Sequence, residues 1–227
     1  MMGRSRSTWT RSLSLLSLSL LMVLWGVGHL HAQDQGKDRK MLFSENFELD
    51  IYAWEITQKG RVKAETPKLF RTETAFGGKQ CLKLEGQEGL LELKLTAAMK
   101  GLVELWVKFS APYDYRRMLA VDDGKTAVMM GVNQSGVFSY VVGTTWVATD
   151  KTITEGWHKF LWDYSGTSGK ISIDDGIVGT FDKPQYFNHI TVGINQGKGG
   201  TCYVDDVVVY STDPELTQEN TFAVTLP

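Results

Sequence analysis

The sequence has no surplus of positive charge. Its formal net charge is −2 at neutral pH, so it lacks the electrostatic footprint of a nucleic-acid binder. Beyond residue 32 no apolar run could cross a bilayer as a helix. There is no internal repeat and no low-complexity tract. Helical periodicity is nearly missing: only Thr96 to Glu104 would make a helical turn or two. Histidine is scarce as well, and only His158 and His189 lie beyond residue 32.

What is present begins with a three-part leader. Arg4, Arg6 and Arg11 form a basic lead-in with no acidic residue near it. An apolar run follows, Leu13 to Val27, broken by serines and Gly26, and it ends at Leu30-His31-Ala32. Basic start, apolar middle and small residue at the end are the layout of a secretory signal cleaved after Ala32. The alternative, an uncleaved anchor, is disfavoured because the run is shorter than the ~20 apolar residues a spanning helix needs. Cleavage takes three positive charges from the net of −2 and leaves −5 on a chain expected in the secreted or cell-envelope space. Gln33 to Lys40 reads as a linker, residues 41–212 as the domain, and Thr212 to Pro227 is polar and reads as a tail.

Cys81 and Cys202 are the two cysteines. Outside the cytoplasm a pair of thiols tends to oxidise. A Cys81–Cys202 disulfide would close most of the domain and stabilise it by roughly 4–5 kcal/mol. Two separately buried thiols are the other reading.

From Met41 onward the hydrophobic period is two. Leu91, Leu93 and Leu95 alternate with Glu92 and Lys94. Val103, Leu105, Val107 and Phe109 alternate with Glu104, Trp106 and Lys108, and Ile171 and Ile173 with Ser172 and Asp174. Each run has one apolar face, as a half-buried antiparallel strand requires. Turn residues punctuate the runs: Gly77-Gly78, Asp122-Asp123-Gly124, Gln134-Ser135-Gly136, Asp174-Asp175-Gly176 and Gly199-Gly200 among them. Strands without intervening helices predict an all-β, two-sheet antiparallel sandwich.

Three segments carry a resemblance. The opening is Leu42-Phe43-Ser44-Glu45-Asn46-Phe47-Glu48, followed by Trp54; the middle is Glu155-Gly156-Trp157-His158-Lys159-Phe160 and then Lys170 to Gly176; the close is Tyr203-Val204-Asp205-Asp206-Val207-Val208-Val209-Tyr210. Together, over residues 41–212, they resemble the concanavalin A-like lectin/glucanase group, in particular its laminin-G-like jelly rolls. The resemblance implies two face-to-face sheets, with one concave face often used for ligands. Members bind glycans, bind proteins or cleave polysaccharides, and fold alone does not choose among these.

Catalytic patterns are incomplete. Jelly-roll glucanases carry Glu, Asp and Glu at alternate strand positions; here Glu48 and Asp50 are followed by Tyr52, which leaves no second Glu as proton donor. Arg71-Thr72-Glu73 and Val192-Gly193-Ile194-Asn195-Gln196 resemble alginate-lyase motifs, but the closing tyrosine falls near Ile194 and the Gln-Ile-His strand is missing. His158, directly after Trp157, reads as packing or surface.

Structural calcium is a second implication. First and last strands of the resembled fold lie side by side, which would bring Glu45 or Glu48 near Asp205 or Asp206. One of the two consecutive aspartates must face inward, where a carboxylate needs a cation or several donors. A hydrogen-bonded aspartate is the alternative.

Sugars stack on exposed aromatic rings. Trp54, Trp157 and Trp162 are assigned to the core. Trp146, among threonines and near Tyr140, reads as a surface platform, and Tyr113, Tyr115 and Arg116 crowd a rim loop after Pro112. The expectation is an exported, non-catalytic carbohydrate-binding or adhesive jelly roll, with a polysaccharide or glycan as partner. A structural or protein-binding module of the cell envelope, and a divergent polysaccharide lyase or glycoside hydrolase, are the alternatives.

Overall fold

Residues 39–49, 55–58, 68–71, 75–85, 89–111, 113, 116–193 and 201–217 are described by the structure, a computed structural model. The leader, Trp54, Asp50 and Tyr52 lie outside them. Among the described residues the strands in chain order are β1 (Lys40–Glu45), β2 (Glu55–Gln58), β3 (Lys68–Arg71), β4 (Gln80–Glu85), β5 (Gly89–Met99), β6 (Gly101–Ser110), β7 (Arg116–Asp122) and β8 (Ala127–Val132). There follow β9 (Val137–Val142), β10 (Thr145–Thr152), β11 (Trp157–Asp163), β12 (Gly169–Ile173), β13 (Gly176–Phe181), β14 (Phe187–Gly193) and β15 (Thr201–Ser211).

They pair antiparallel in two sheets. One has eight strands in the order β13-β12-β11-β6-β15-β4-β3, with β1 also on β15; the other has seven in the order β10-β9-β8-β7-β14-β5-β2. The alternation read from sequence sets the inward faces. Val103, Leu105, Val107, Phe160, Trp162 and Val204 from the first sheet pack against Leu91, Leu93, Val121, Val128, Ile190 and Val192 from the second. Two polar tips bridge the layers. Trp162 Nε1–H donates to the Val128 carbonyl at 3.2 Å, and the Tyr164 hydroxyl donates to the Val121 carbonyl at 3.2 Å. Leu216, in the C-terminal segment, also packs on this core.

Turn chemistry is realised where the sequence placed it. Asp174 and Asp175 both have positive φ, 50° and 64°, ahead of Gly176 between β12 and β13. Two consecutive left-handed residues match the strand twist in a tight hairpin. The helical expectation for Thr96 to Glu104 is corrected. β5 runs to Met99 and β6 starts at Gly101, so Lys100 alone carries the chain from one sheet to the other. Strand pairing wins because Met99, Leu102 and Val103 are all buried. Gly101 lies so close to β15 that a Cβ there would sit 1.9 Å from the Tyr210 carbonyl oxygen.

The cysteine expectation is also corrected: no disulfide joins Cys81 and Cys202, and both thiols are buried. Cys202 pairs with Leu84 and Val204 with Leu82, so Cys81, next along β4, lies level with Asp205. Three residues of β15, roughly 10 Å of strand, separate that level from Cys202. An odd separation also turns the two side chains to opposite faces. Cys202 joins the intersheet core and Cys81 does not. A disulfide needs Cα atoms within about 7 Å and converging Cβ vectors.

Candidate functional site

Outward residues of the seven-stranded sheet line up in one row. Glu92 pairs with Thr191, Thr191 with Ala120, Ala120 with Met129, Met129 with Val141 and Val141 with Trp146. The row crosses five strand spacings, roughly 24 Å. In its middle Met129 and Val141 are buried, and the small residues Ala120, Gly131, Ser139 and Ala148 share the same face. Trp146 closes one end at 37% exposure on the edge strand β10.

An acid–histidine group closes the other end. His189 pairs with Lys94 on one side and Asp122 on the other, one row from Glu92. Its Nδ1 is 3.1 Å from Asp122 Oδ2, and its Nε2 is 3.5 Å from Glu92 Oε1. That Nε2 is buried and has no hydrogen-bond partner among the described residues. Glu92 itself is only 6% exposed. Two carboxylates therefore flank one imidazole, an arrangement that fixes the orientation of the ring.

At a corner of the other sheet, β15 changes its neighbour from β4 to β1. Between Asp205 and Val208 the register with β6 slips, and Asp206 takes φ 47°. This bulge presents Asp205 to the segment before β4. Phe76 and Gly77 N–H donate to Asp205 Oδ2 at 2.9 and 3.2 Å, and Asp206 N–H donates to Asp205 Oδ1 at 2.9 Å. Glu48 Oε1 takes the N–H groups of Lys79 and Gln80 at 2.6 and 2.7 Å. A Cβ on Gly78, at φ +61°, would fall 2.2 Å from that same Oε1, so glycine is what lets the carboxylate in. Glu45 Oε1 takes Phe47 N–H at 2.8 Å. Burial pushes the Asp205 carboxyl up to about 7, against the lowering pull of the Gly77 N–H.

The side-by-side end strands set Glu45 opposite Val207, next to Asp206, while Glu48 and Asp205 both accept from backbone N–H groups of residues 76–80. The oxygens of Asp205 and Oε1 of Glu48 are directed at backbone N–H groups, which compete with a metal for the same lone pairs. Among the described residues no group of three or more His, Cys, Asp or Glu is placed to hold a metal ion. Glu48, the start of the glucanase-like run, serves as a backbone acceptor here.

The aromatic residues separate. Trp146 and Tyr140 are on opposite faces of the β9–β10 hairpin, since Trp146 pairs with Val141 and Val147 with Tyr140. Tyr140 packs against the core and beside Gly179. Tyr113 packs against the core and Gly136. Tyr115 lies outside the described residues, and Arg116 is described only as the start of β7, paired with Val132. Trp162 is core, as expected. Trp157 is not; it is half-buried on the outward face, paired with Lys108. His158 is buried, with Nδ1 2.8 Å from Asp174 Oδ2, and so ties β11 to the Asp174 hairpin. Of the lyase-like motifs, Arg71, Val192 and Gly193 end strands, and the remainder lies outside the described residues. Glu92, Asp122 and His189 were missed as a group. Alternation did place Glu92 outward; the neighbourhood of β5, β14 and β7 is what brings the three together.

No protein-family model matches the sequence, and no curated protein does. Solved structures do match in shape. Cellulose-induced protein Cip1 aligns with a TM-score of 0.59 at 15% identity, over 74% of this chain and 96% of its own. Domain 4 of AbnA, an extracellular arabinanase from Geobacillus stearothermophilus solved with arabinotriose, aligns at 0.57 and 13%, over 82% and 97%. SCLam, a non-specific endo-β-1,3(4)-glucanase of family GH16, aligns at 0.56 and 14%, over 78% and 92%. At such identities the likeness is one of fold. Two antiparallel sheets packed face to face, in the shape shared by these neighbours, make this chain a concanavalin A-like jelly-roll sandwich.

Proposed function

We propose that the chain is an exported, non-catalytic polysaccharide-binding jelly roll whose ligand lies across the outward face of the seven-stranded sheet. The observation that carries this is the single row from Glu92 to Trp146, with an exposed indole at one end and hydrogen-bonding groups at the other. Its length suits an oligosaccharide segment. Trp146 would stack on a sugar face, while Thr191 and Asp122 take hydroxyls and His189 holds Asp122 in place. Structural neighbours that include an arabinanase domain solved with arabinotriose and a glucanase support a glycan in general.

A glycan panel on the protein tests the reading. Binding of a neutral polysaccharide, weakened about tenfold or more in Trp146→Ala, is the expected result. Absence of binding to any glycan at high concentration retires it. Export is tested by the N-terminus of the secreted protein, expected at Gln33.

The acid–histidine group favours one second reading, a polysaccharide-cleaving enzyme using Glu92 and Asp122. Release of reducing ends from a bound glycan, abolished in Glu92→Gln, would favour it; a glycan bound for days without cleavage would count against it. Calcium at the Asp205 corner is a separate proposal. Melting temperature should fall by several degrees in chelator if an ion is bound there, and an unmoved value would dismiss the ion.

A further inference from the structure

We propose that the cleft between the β7–β8 turn and the loop from β13 to β14 is a second carbohydrate site, built to take a single neutral sugar unit. Asp122, the last residue of β7, pairs with His189 near the start of β14, so the turn and the loop meet at the same end of the sheet. The cleft between them has a volume of about 400 Å³. That is near the lower end of the range for small-molecule sites. Pro184 is its buried lining residue, while Lys125, Lys183, Gln185 and Tyr186 around it are exposed. The Tyr186 ring supplies the aromatic wall and is 47% exposed. Lys100 Nζ lies 5.4 Å from its centroid and so covers at most one of its two faces.

The polar groups of the cleft are of both kinds. Asp123 Oδ1 accepts the N–H groups of Lys125 and Thr126 at 2.9 and 2.8 Å, which fixes the carboxylate within the turn. The Thr126 N–H above all holds its carboxyl below the usual range, so it is charged at neutral pH. Both bonds use Oδ1 and leave Oδ2 as an acceptor. Lys125 and Lys183 bring ammonium donors, and Gln185 brings an amide that donates and accepts. A sugar hydroxyl also donates and accepts at once. A fixed carboxylate, two ammonium groups and an amide around one ring therefore match neighbouring hydroxyls, with the C–H face of the sugar against Tyr186. An anionic ligand would meet the Asp123 charge, and a wholly apolar one would bury polar groups without partners. None of these residues belongs to the row from Glu92 to Trp146, so the site does not depend on how that row is used.

The test is titration of the full chain with the methyl glycosides of glucose, galactose, mannose, xylose and arabinose, with acetate and inorganic phosphate as comparison anions. At least one glycoside is expected to bind with a Kd on the order of 1 mM. Its affinity should fall about tenfold in Tyr186→Ala and again in Lys125→Met/Lys183→Met, and stay unchanged in Trp146→Ala. All the replaced cleft residues are exposed, so melting temperature should stay at the parent value in the lysine pair. No glycoside bound at about 100 mM, binding indifferent to both cleft variants, a loss in Trp146→Ala as large as in Tyr186→Ala, or tighter binding of either anion than of every sugar would each overturn the proposal.

Discussion

Asp205 has no exposed surface, yet it carries an ionisable group held by three backbone N–H groups. Burial is the dominant influence and lifts its carboxyl from 3.8 to about 7. A folded-state value above the unfolded one means the native state binds the proton more tightly. The stabilising contribution is therefore complete below about pH 4 and is lost as pH rises through about 7. Asp205→Asn, compared with the parent in chelator, should gain relative melting temperature between pH 4.5 and 8, worth on the order of a few kcal/mol. A difference that stays constant across that range would show that Asp205 does not titrate there. Cys81 is a neighbouring case. Burial, with the Asp205 charge adding to it, pushes its thiol up to about 12. Neither cysteine should react with a thiol reagent in the native protein at pH 8, and two should react after unfolding. None reacting after unfolding would restore the disulfide. The Asp-Asp pair was visible in the sequence, but neither aspartate faces the intersheet core as expected: Asp205 pairs with Trp106 on the outward face and is buried there under residues 76–77. The bulge that arranges this was not legible, because bulges depend on the partner strand.

Strand identity was legible from alternation alone. Leu91, Leu93 and Leu95, or Val103, Leu105 and Val107, face inward as their spacing demands. Where alternation weakens, in Thr96 to Glu104, propensity pointed to a helical turn and the crossing between sheets overrode it. Neighbour order was not legible: nothing local says that β14 lies between β5 and β7, and so the Glu92–His189–Asp122 group could not be assembled. The cross-sheet hydrogen bonds are likewise long-range. Tyr164→Phe removes only the hydroxyl that meets the Val121 carbonyl and should cost about 1–2 kcal/mol in denaturant unfolding. No measurable loss would mean that water satisfies both groups equally well. Gly101→Ala sets a methyl against a backbone carbonyl that cannot move aside and should cost roughly 2–3 kcal/mol, several degrees of melting temperature.

For the whole molecule, the two outer faces differ in character although one core holds both. The seven-stranded face carries a histidine between carboxylates and an exposed tryptophan; on the eight-stranded face Phe76 stacks on Trp106 and Lys159 pairs with Asp175. Neutral-glycan binding is expected to change little between about 50 and about 500 mM NaCl, because stacking and hydrogen bonds, unlike ion pairs, are weakly screened. A steep fall would show that the ligand is held by ion pairs rather than by the Trp146 platform. A last consequence comes from the pairing of β1 with β15, in which Lys40 stands opposite Ser211. The two ends of the domain are already neighbours, so a few-residue linker can join them. New termini can then open at the exposed Gly143-Thr144 hairpin tip. Such a circular permutant should fold with the native spectrum, since the order in which the strands are synthesised is not what holds the sandwich together.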